Sequence, residues 1–319
     1  RFPLETLKRT PDMPDLSAVP ATRQLSFSRM DDPVSIVNAM RDHQAVMDAI
    51  RGGFVNKSIS TCPDDPAERA NHIKAFCHFA DASMVGIARL PAQSVLAHPF
   101  RNPDIDRLAD TLRTQQTKTL ASGIDMVMAD LRDSMEAPPS TIVGHTHALV
   151  FLYDMPRDPD PSEAGCDWLH DAQAHRAALR ATETAVVLAN YIRVLGWDAK
   201  AHTATSADIC LNQLTVAAGL ALVRNGVLTN PYLGTRFGVA AVTTSFDIAP
   251  DRPLAASQPW LATKGPAWWT GYGVRKSALT MDPFAKRKFK DGPHPFETLT
   301  RVDTPTTFID EAHVARVPK

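Results

Sequence analysis

The sequence predicts an α/β or α+β domain, with a central sheet flanked by long helices and an extended arm at each end. Short continuous apolar runs, bounded by glycine or proline, suit buried strands better than helices. Long stretches of helical period alternate with them, which calls for helices packed on a sheet. The two ends lack sustained period and are rich in proline, as in 1–33, or turn to Pro, Trp and Lys, as after Pro250. The expected organisation is an arm over 1–33, one domain over 34–254, and a wrapping tail with the start of a following module over 255–319.

Asp32-Pro33 is placed to open the first helix, with Asp32 as cap and Pro33 in the first turn. Val34, Val37, Met40, Val46 and Ile50 give its stripe, and Gly52-Gly53 ends it. Asp65-Pro66-Ala67-Glu68 is a capping box around an N1 proline and starts a helix to about Ala80. Ser83 to Leu90 reads as a strand. Residues 104–135 read as helix in two pieces, broken near Ser122-Gly123. Thr146 to Met155, between Gly144 and Pro156, is the clearest buried strand. An Asp/Pro loop follows over 157–162. The longest helix is expected from Ser162 to Leu195, closed by Gly196. Trp197 to His202 and Phe237 to Phe246 read as strands, with a helix over Ala207 to Leu222 between them.

Of 319 residues 44% are apolar, enough for a large core. Lys plus Arg (34) nearly cancel Asp plus Glu (35), so no bulk field draws nucleic acid or anionic lipid. Lys286-Arg287-Lys288 with Lys290 is the one basic run and reads as a solvated face. No apolar run is long enough to span a bilayer, and the chain is expected to be soluble and cytoplasmic, with no membrane and no nucleic-acid partner. The first residue is Arg1, which implies processing or cutting. Cys62, Cys77, Cys166 and Cys210 are irregularly spaced, with no C-x-x-C, and are expected to be free, mostly buried thiols. His145-Thr146-His147 puts two imidazoles on one face of a strand but has no third ligand beside it, since Asp154 lies at the strand's far end, so no metal site is expected. His170 and His175 read as solvated or capping, and Tyr153 as a core tyrosine with a satisfied hydroxyl. Trp268-Trp269 followed by Gly271-Tyr272-Gly273 suits either a partner domain or the domain's own core.

Ala185 to Ile248 carries a resemblance. Tyr191-Ile192-Arg193-Val194-Leu195-Gly196-Trp197 and then Ala199-Lys200-Ala201-His202 look like a helix end "YIRxLGY" followed by a strand "AxAH". Leu214 to Leu220 with Arg224-Asn225-Gly226-Val227-Leu228-Thr229 looks like "LAVxAGLGELGRxGLLxT". Pro231, Gly234-Thr235-Arg236 and Val239 to Thr244 match "PxxGxRxRxxxVxT", and Pro253-Leu254 fits a following "PL". In order and spacing these words resemble the cobalamin-dependent reductive dehalogenases of the soluble catabolic type. Epoxyqueuosine reductases share much of the text. The resemblance implies a nitroreductase-like core and, in the parent protein, cobalamin that removes halide from halogenated aromatic compounds with electrons passed through two 4Fe-4S clusters. In that family a tyrosine donates the replacing proton, but nothing aligned assigns that role to Tyr153, Tyr191 or Arg193.

Gly219, Arg224, Gly226, Thr229 and Gly234 are the positions where the resemblance would place a cofactor, as a vestigial site; the residues themselves allow tight turns equally well. Two departures matter. Gly-Leu-Gly-Glu-Leu-Gly-Arg is here Gly219-Leu220-Ala221-Leu222-Val223-Arg224, which crowds the backbone a cofactor would approach. No cysteine follows Pro253-Leu254. No catalytic residue is therefore assigned. The two ends also match each other: Phe2 to Arg9 lies over His294 to Arg301 with five of eight positions identical. The expectation is a degenerate first copy of a duplicated fold, whose partner is the downstream catalytic half of the same chain. The alternatives are a free-standing cobalamin or tetrapyrrole-binding protein and a flavin-dependent reductase of the same fold.

Overall fold

The computed structural model describes residues 7–27, 31–114, 141–155, 161–162 and 165–258. Strands β1 (Met84–Arg89), β3 (His147–Asp154), β8 (Phe237–Thr244) and β4 (Ala199–His202) form one antiparallel sheet in the order β1-β3-β8-β4. In β3, Leu149, Phe151 and Tyr153 point to one face while Ala148, Val150 and Leu152 point to the other, as the two-residue period of a strand requires. Both faces are covered, so the whole run is apolar. Burying a Leu or Phe of this kind stabilises the fold by about 1.5–3 kcal/mol.

On the first face lie α2 (Pro66–Phe79) and α5 (Gln173–Val194). Ala177, Ala181, Ala185 and Ala189 recur every fourth residue of α5, and this row of small side chains lets the helix lie close on the sheet. At Gly238 of β8 an added Cβ would sit 2.8 Å from the Ala177 carbonyl carbon. On the second face lie α6 (Leu211–Ala217), the arm residues Leu7, Leu16 and Val19, and Tyr232, Leu233 and Leu254. The arm and the segment after β8 pair with each other: Arg9 bridges Leu254, Thr10 N donates to Pro253 O, and Ala255 N donates to Lys8 O. Two further helices, α1 (Ile36–Ala49) and α3 (Asp104–Thr114), pack together at the side of the sheet that carries α5, where Ala45 meets Ile105 and Ala109.

The α2 cap is as expected, with the Asp65 side chain accepting from Ala67 N and Pro66 in the first turn. Elsewhere the structure corrects the sequence reading. Asp32 does not cap α1; its side chain accepts from Val34 N and its carbonyl from Ser35 N, and Ser35 is the cap, accepting from Val37 N. The long helix is not continuous from Ser162. A four-residue helix, α4 (Cys166–Leu169), ends at His170, Asp171 turns with φ +56°, and α5 starts at Gln173. Ala207 to Leu222 is not one helix: β5 (Ala207–Ile209) pairs with β2 (Val95–Phe100), a strand the sequence did not announce, before α6 begins. Leu222 belongs to a hairpin of β6 (Leu222–Arg224) and β7 (Val227–Thr229), closed by Asn225 and Gly226, both with positive φ. Asn-Gly between paired strands is the two-residue turn that needs this geometry, so the signal was present in the sequence. Residues 115–140, the second piece of the helix expected over 104–135, lie outside the described residues. So do the proposed Phe2/His294 repeat, apart from Leu7 to Arg9, and the Trp268-Trp269 and Lys286 segments.

The contact between α5 and β8 yields a prediction. Gly238→Ala has no space for its methyl against the Ala177 backbone, and we expect a loss of about 1–3 kcal/mol, read as a lower urea midpoint with an unchanged slope.

Candidate functional site

The five positions that the resemblance points to lie in one stretch, from the end of α6 to the start of β8. Gly219 is the left-handed residue that ends α6: its N–H donates to Val216 O and Leu220 N donates to Thr215 O, the paired bonds of a Schellman cap. Its backbone is closed over by the chain itself. Arg9 Nη1 donates to Gly219 O at 3.2 Å and to Arg252 O at 2.6 Å, and a Cβ on Gly219 would collide with both Arg9 and Arg252. Arg224 and Gly226 are exposed at the hairpin tip. Thr229 is buried, and its hydroxyl donates to Val227 O at 3.2 Å. Gly234 exchanges both backbone hydrogen bonds with Asn230, whose side chain also holds Leu220 O and the N–H groups of Tyr232 and Leu233. A cofactor site needs convergent polar groups aimed at a shared space. Here Gly219, Thr229 and Gly234 spend their groups on neighbouring backbone. These residues do not fit cobalamin.

The cysteines do not fit an iron–sulfur cluster. All four are free; Cys77, Cys166 and Cys210 are buried on separate elements, and burial pushes the Cys77 thiol up to about 12, far from the thiolate a cluster needs. Among the described residues no three His, Cys, Asp or Glu side chains converge to hold a metal ion. The Tyr153 hydroxyl lies 2.5 Å from Thr184 Oγ1 and donates to Ala80 O, and burial raises it to about 12. Tyr191 stacks on Phe76, and Arg193 is buried with Nη1 on Ala199 O, so these three residues form no common centre. His170 faces Asp171, and His175 meets Ser26 O and the edge of Phe27.

A second set of polar side chains, which no motif in the sequence brought together, is buried among the described residues. Lys200 and His202 of β4, Asp208 of β5 and Arg51 after α1 are all buried. Asp208 takes Arg51 at 2.9 Å on one oxygen and Lys200 on the other. Asp208 N donates to His202 Nδ1, so the ring proton is on Nε2 and points at Thr243 Oγ1, 2.8 Å away. The Thr243 hydroxyl is then free to donate to His145 Nδ1, also at 2.8 Å. This leaves His145 Nε2 facing Asp198 at 3.2 Å, near enough for attraction but misaligned for a hydrogen bond. The directed chain ties β5, β4 and β8 to the segment before β3. The clue in the sequence was a lysine within Ala199-Lys200-Ala201-His202, a strand buried throughout.

Burial pushes the Asp208 carboxyl up, but Arg51, His202 and Lys200 outweigh it and hold it below the usual carboxylate range. Burial lowers Lys200, with Arg51 adding to the effect and Asp208 opposing it. Burial also lowers His145, and takes His202 well below the ordinary imidazole value with help from Arg51. Asp208→Asn leaves two buried cations with half a partner, and we expect a loss of about 3–5 kcal/mol in denaturant unfolding. Stability should also depend on pH. The unfolded histidines bind protons that the folded ones refuse, so their contribution is complete above the ordinary value of 6.5 and is lost as pH falls below it. Asp48 works the other way, because burial raises its carboxyl against the donors Thr203, Thr205 and Asn102. His145→Asn separates the two effects: it should flatten the decline in unfolding free energy below pH 6.5 relative to the unsubstituted chain, measured at matched pH values.

No protein-family model matches the chain, and no curated protein does. Solved structures do. The catabolic reductive dehalogenase NpRdhA in complex with 3-bromo-4-hydroxybenzoic acid is 30% identical over 96% of this chain, with a TM-score of 0.62. A reductive dehalogenase structure described for B12-dependent dehalogenation is 31% identical over 96% of this chain, with a TM-score of 0.60. An epoxyqueuosine reductase from Streptococcus thermophilus is 13% identical over 58% of this chain and 48% of its own, with a TM-score of 0.35. This chain spans 36% and 37% of the two dehalogenase chains. The near-complete coverage at this identity agrees with the motifs between Tyr191 and Leu254, and the chain belongs to the reductive dehalogenase family.

Proposed function

We propose that this chain is a non-catalytic structural module of a reductive dehalogenase, and that it covers a catalytic half that carries cobalamin and iron–sulfur clusters in the same longer polypeptide. The parent reaction would be the removal of halide from a halogenated aromatic compound. The observation that carries the reading is the closure of Gly219. Where the resemblance would put a ligand against open backbone, the Arg9 guanidinium and the Arg252 backbone carbonyl lie instead, with Arg9 Nη1 donating to both Gly219 O and Arg252 O. Ala221, Leu222 and Val223 replace the family's glycines and acid at the same place, and Leu222 and Val223 enter the β6–β7 hairpin. The length of the relatives leaves room for a second unit of similar size. A covering role asks only that the fold persist, and the words retained here are those that cap helices and close turns.

Incubation with hydroxocobalamin, followed by desalting and visible absorbance, tests the reading. A colourless protein fraction is expected. Stoichiometric retention of cobalamin, or a flavin spectrum in the freshly purified protein, would overturn the structural role in favour of a binding protein or a reductase.

A further inference from the structure

One apolar face of the described domain lies open. α5 turns its alanine row to the sheet and exposes Val187, Tyr191 and Val194, which are spaced i, i+4 and i+7 and form a seam along one side of the helix. The seam continues onto both neighbours. Phe76 of α2 stacks on Tyr191 with centroids 6.0 Å apart and planes 6° from parallel, and Phe79, 87% exposed, follows it on the same helix. At the other end, Asn56 N donates to Arg193 O and Ser60 N to Leu195 O, which lays the loop after α1 along the end of α5. That loop brings Ile59 against Gly196 and leaves the Phe54 ring fully exposed.

Phe54 and Phe79 each offer about 150–200 Å² to a partner, and with Ile59, Val187, Tyr191 and Val194 the exposed side chains together offer on the order of 700 Å², close to what one side of a standard protein interface contributes. Soluble monomers rarely leave this many large apolar side chains exposed on neighbouring elements. We propose that this face is a two-fold interface with a second copy of the chain. The seam is self-complementary. A two-fold axis beside Tyr191 sets Val187 of one copy against Val194 of the other and uses every contact twice. Charge does not oppose the pairing: the net charge is −1, and the rim carries both signs in Lys57, Glu183 and the Arg180–Asp81 ion pair.

Sedimentation velocity of the full chain, from about 1 to 100 µM, tests the interface. The expected result is a monomer–dimer equilibrium whose Kd rises at least tenfold in Val187→Arg and rises measurably in Phe54→Ser. The Phe54 ring touches nothing that the fold requires, so Phe54→Ser decides the matter even if Val187→Arg fails to fold, which circular dichroism would reveal. A chain that stays monomeric throughout, or a dimer that neither substitution weakens, would overturn the proposal. The hydroxocobalamin result is independent of this one, because the seam lies on the side of the sheet opposite Gly219.

Discussion

The structure is organised by the burial of β3 on both faces. A strand whose successive side chains enter two separate cores must be covered from both sides, and the rest of the domain is arranged to do this. α5 and α2 cover one face. The other has only the short α6, so the arm, the Asn230–Gly234 turn and Leu254 complete it. The edges of the sheet are occupied as well. Ile87 of β1 exchanges hydrogen bonds with Asp251, whose carboxylate also takes Lys74, and Ala201 of β4 donates to Arg51 O. An edge engaged in this way presents no free ladder to another strand.

The same constraint explains why charge sits inside. β4 is short and buried along its full length, so Lys200 and His202 cannot reach water without breaking the sheet. Asp208, Arg51, Thr243 and His145 answer them. Such a cluster adds little net stability over an apolar one, but losing any member leaves a buried charge or ring nitrogen without its partner. Its effect is therefore to fix how β5 and the end of α1 sit against the sheet. The Gly219 region shows the converse. Glycine is required there by the helix cap and by the approach of Arg9 and Arg252, so its retention needs no ligand.

What the sequence determined by itself was local and two-sided. Asp65-Pro66 sets the start of α2 because the cap bond spans two residues. The run from His147 to Tyr153 specifies a strand buried on both faces because no solvent side interrupts it. The motifs from Tyr191 to Leu254 carried the family, since their order survives even where their chemistry does not. Tertiary structure decided the rest. Ala207 to Ile209 is a strand only because Val95 to Phe100, more than a hundred residues earlier, pairs with it, and its composition suits a helix equally well. Ser35 and not Asp32 is the cap because residues 32–35 form a turn before α1, in which Asp32 takes Val34 N and Ser35 N and leaves Val37 N, in the first helical turn, to Ser35. Whether Gly219 faces a ligand or an arginine depended on where the arm lies, 210 residues away in sequence. Hydrogen bonds between neighbours are written in short words, whereas the choice among long-range partners belongs to the packed chain.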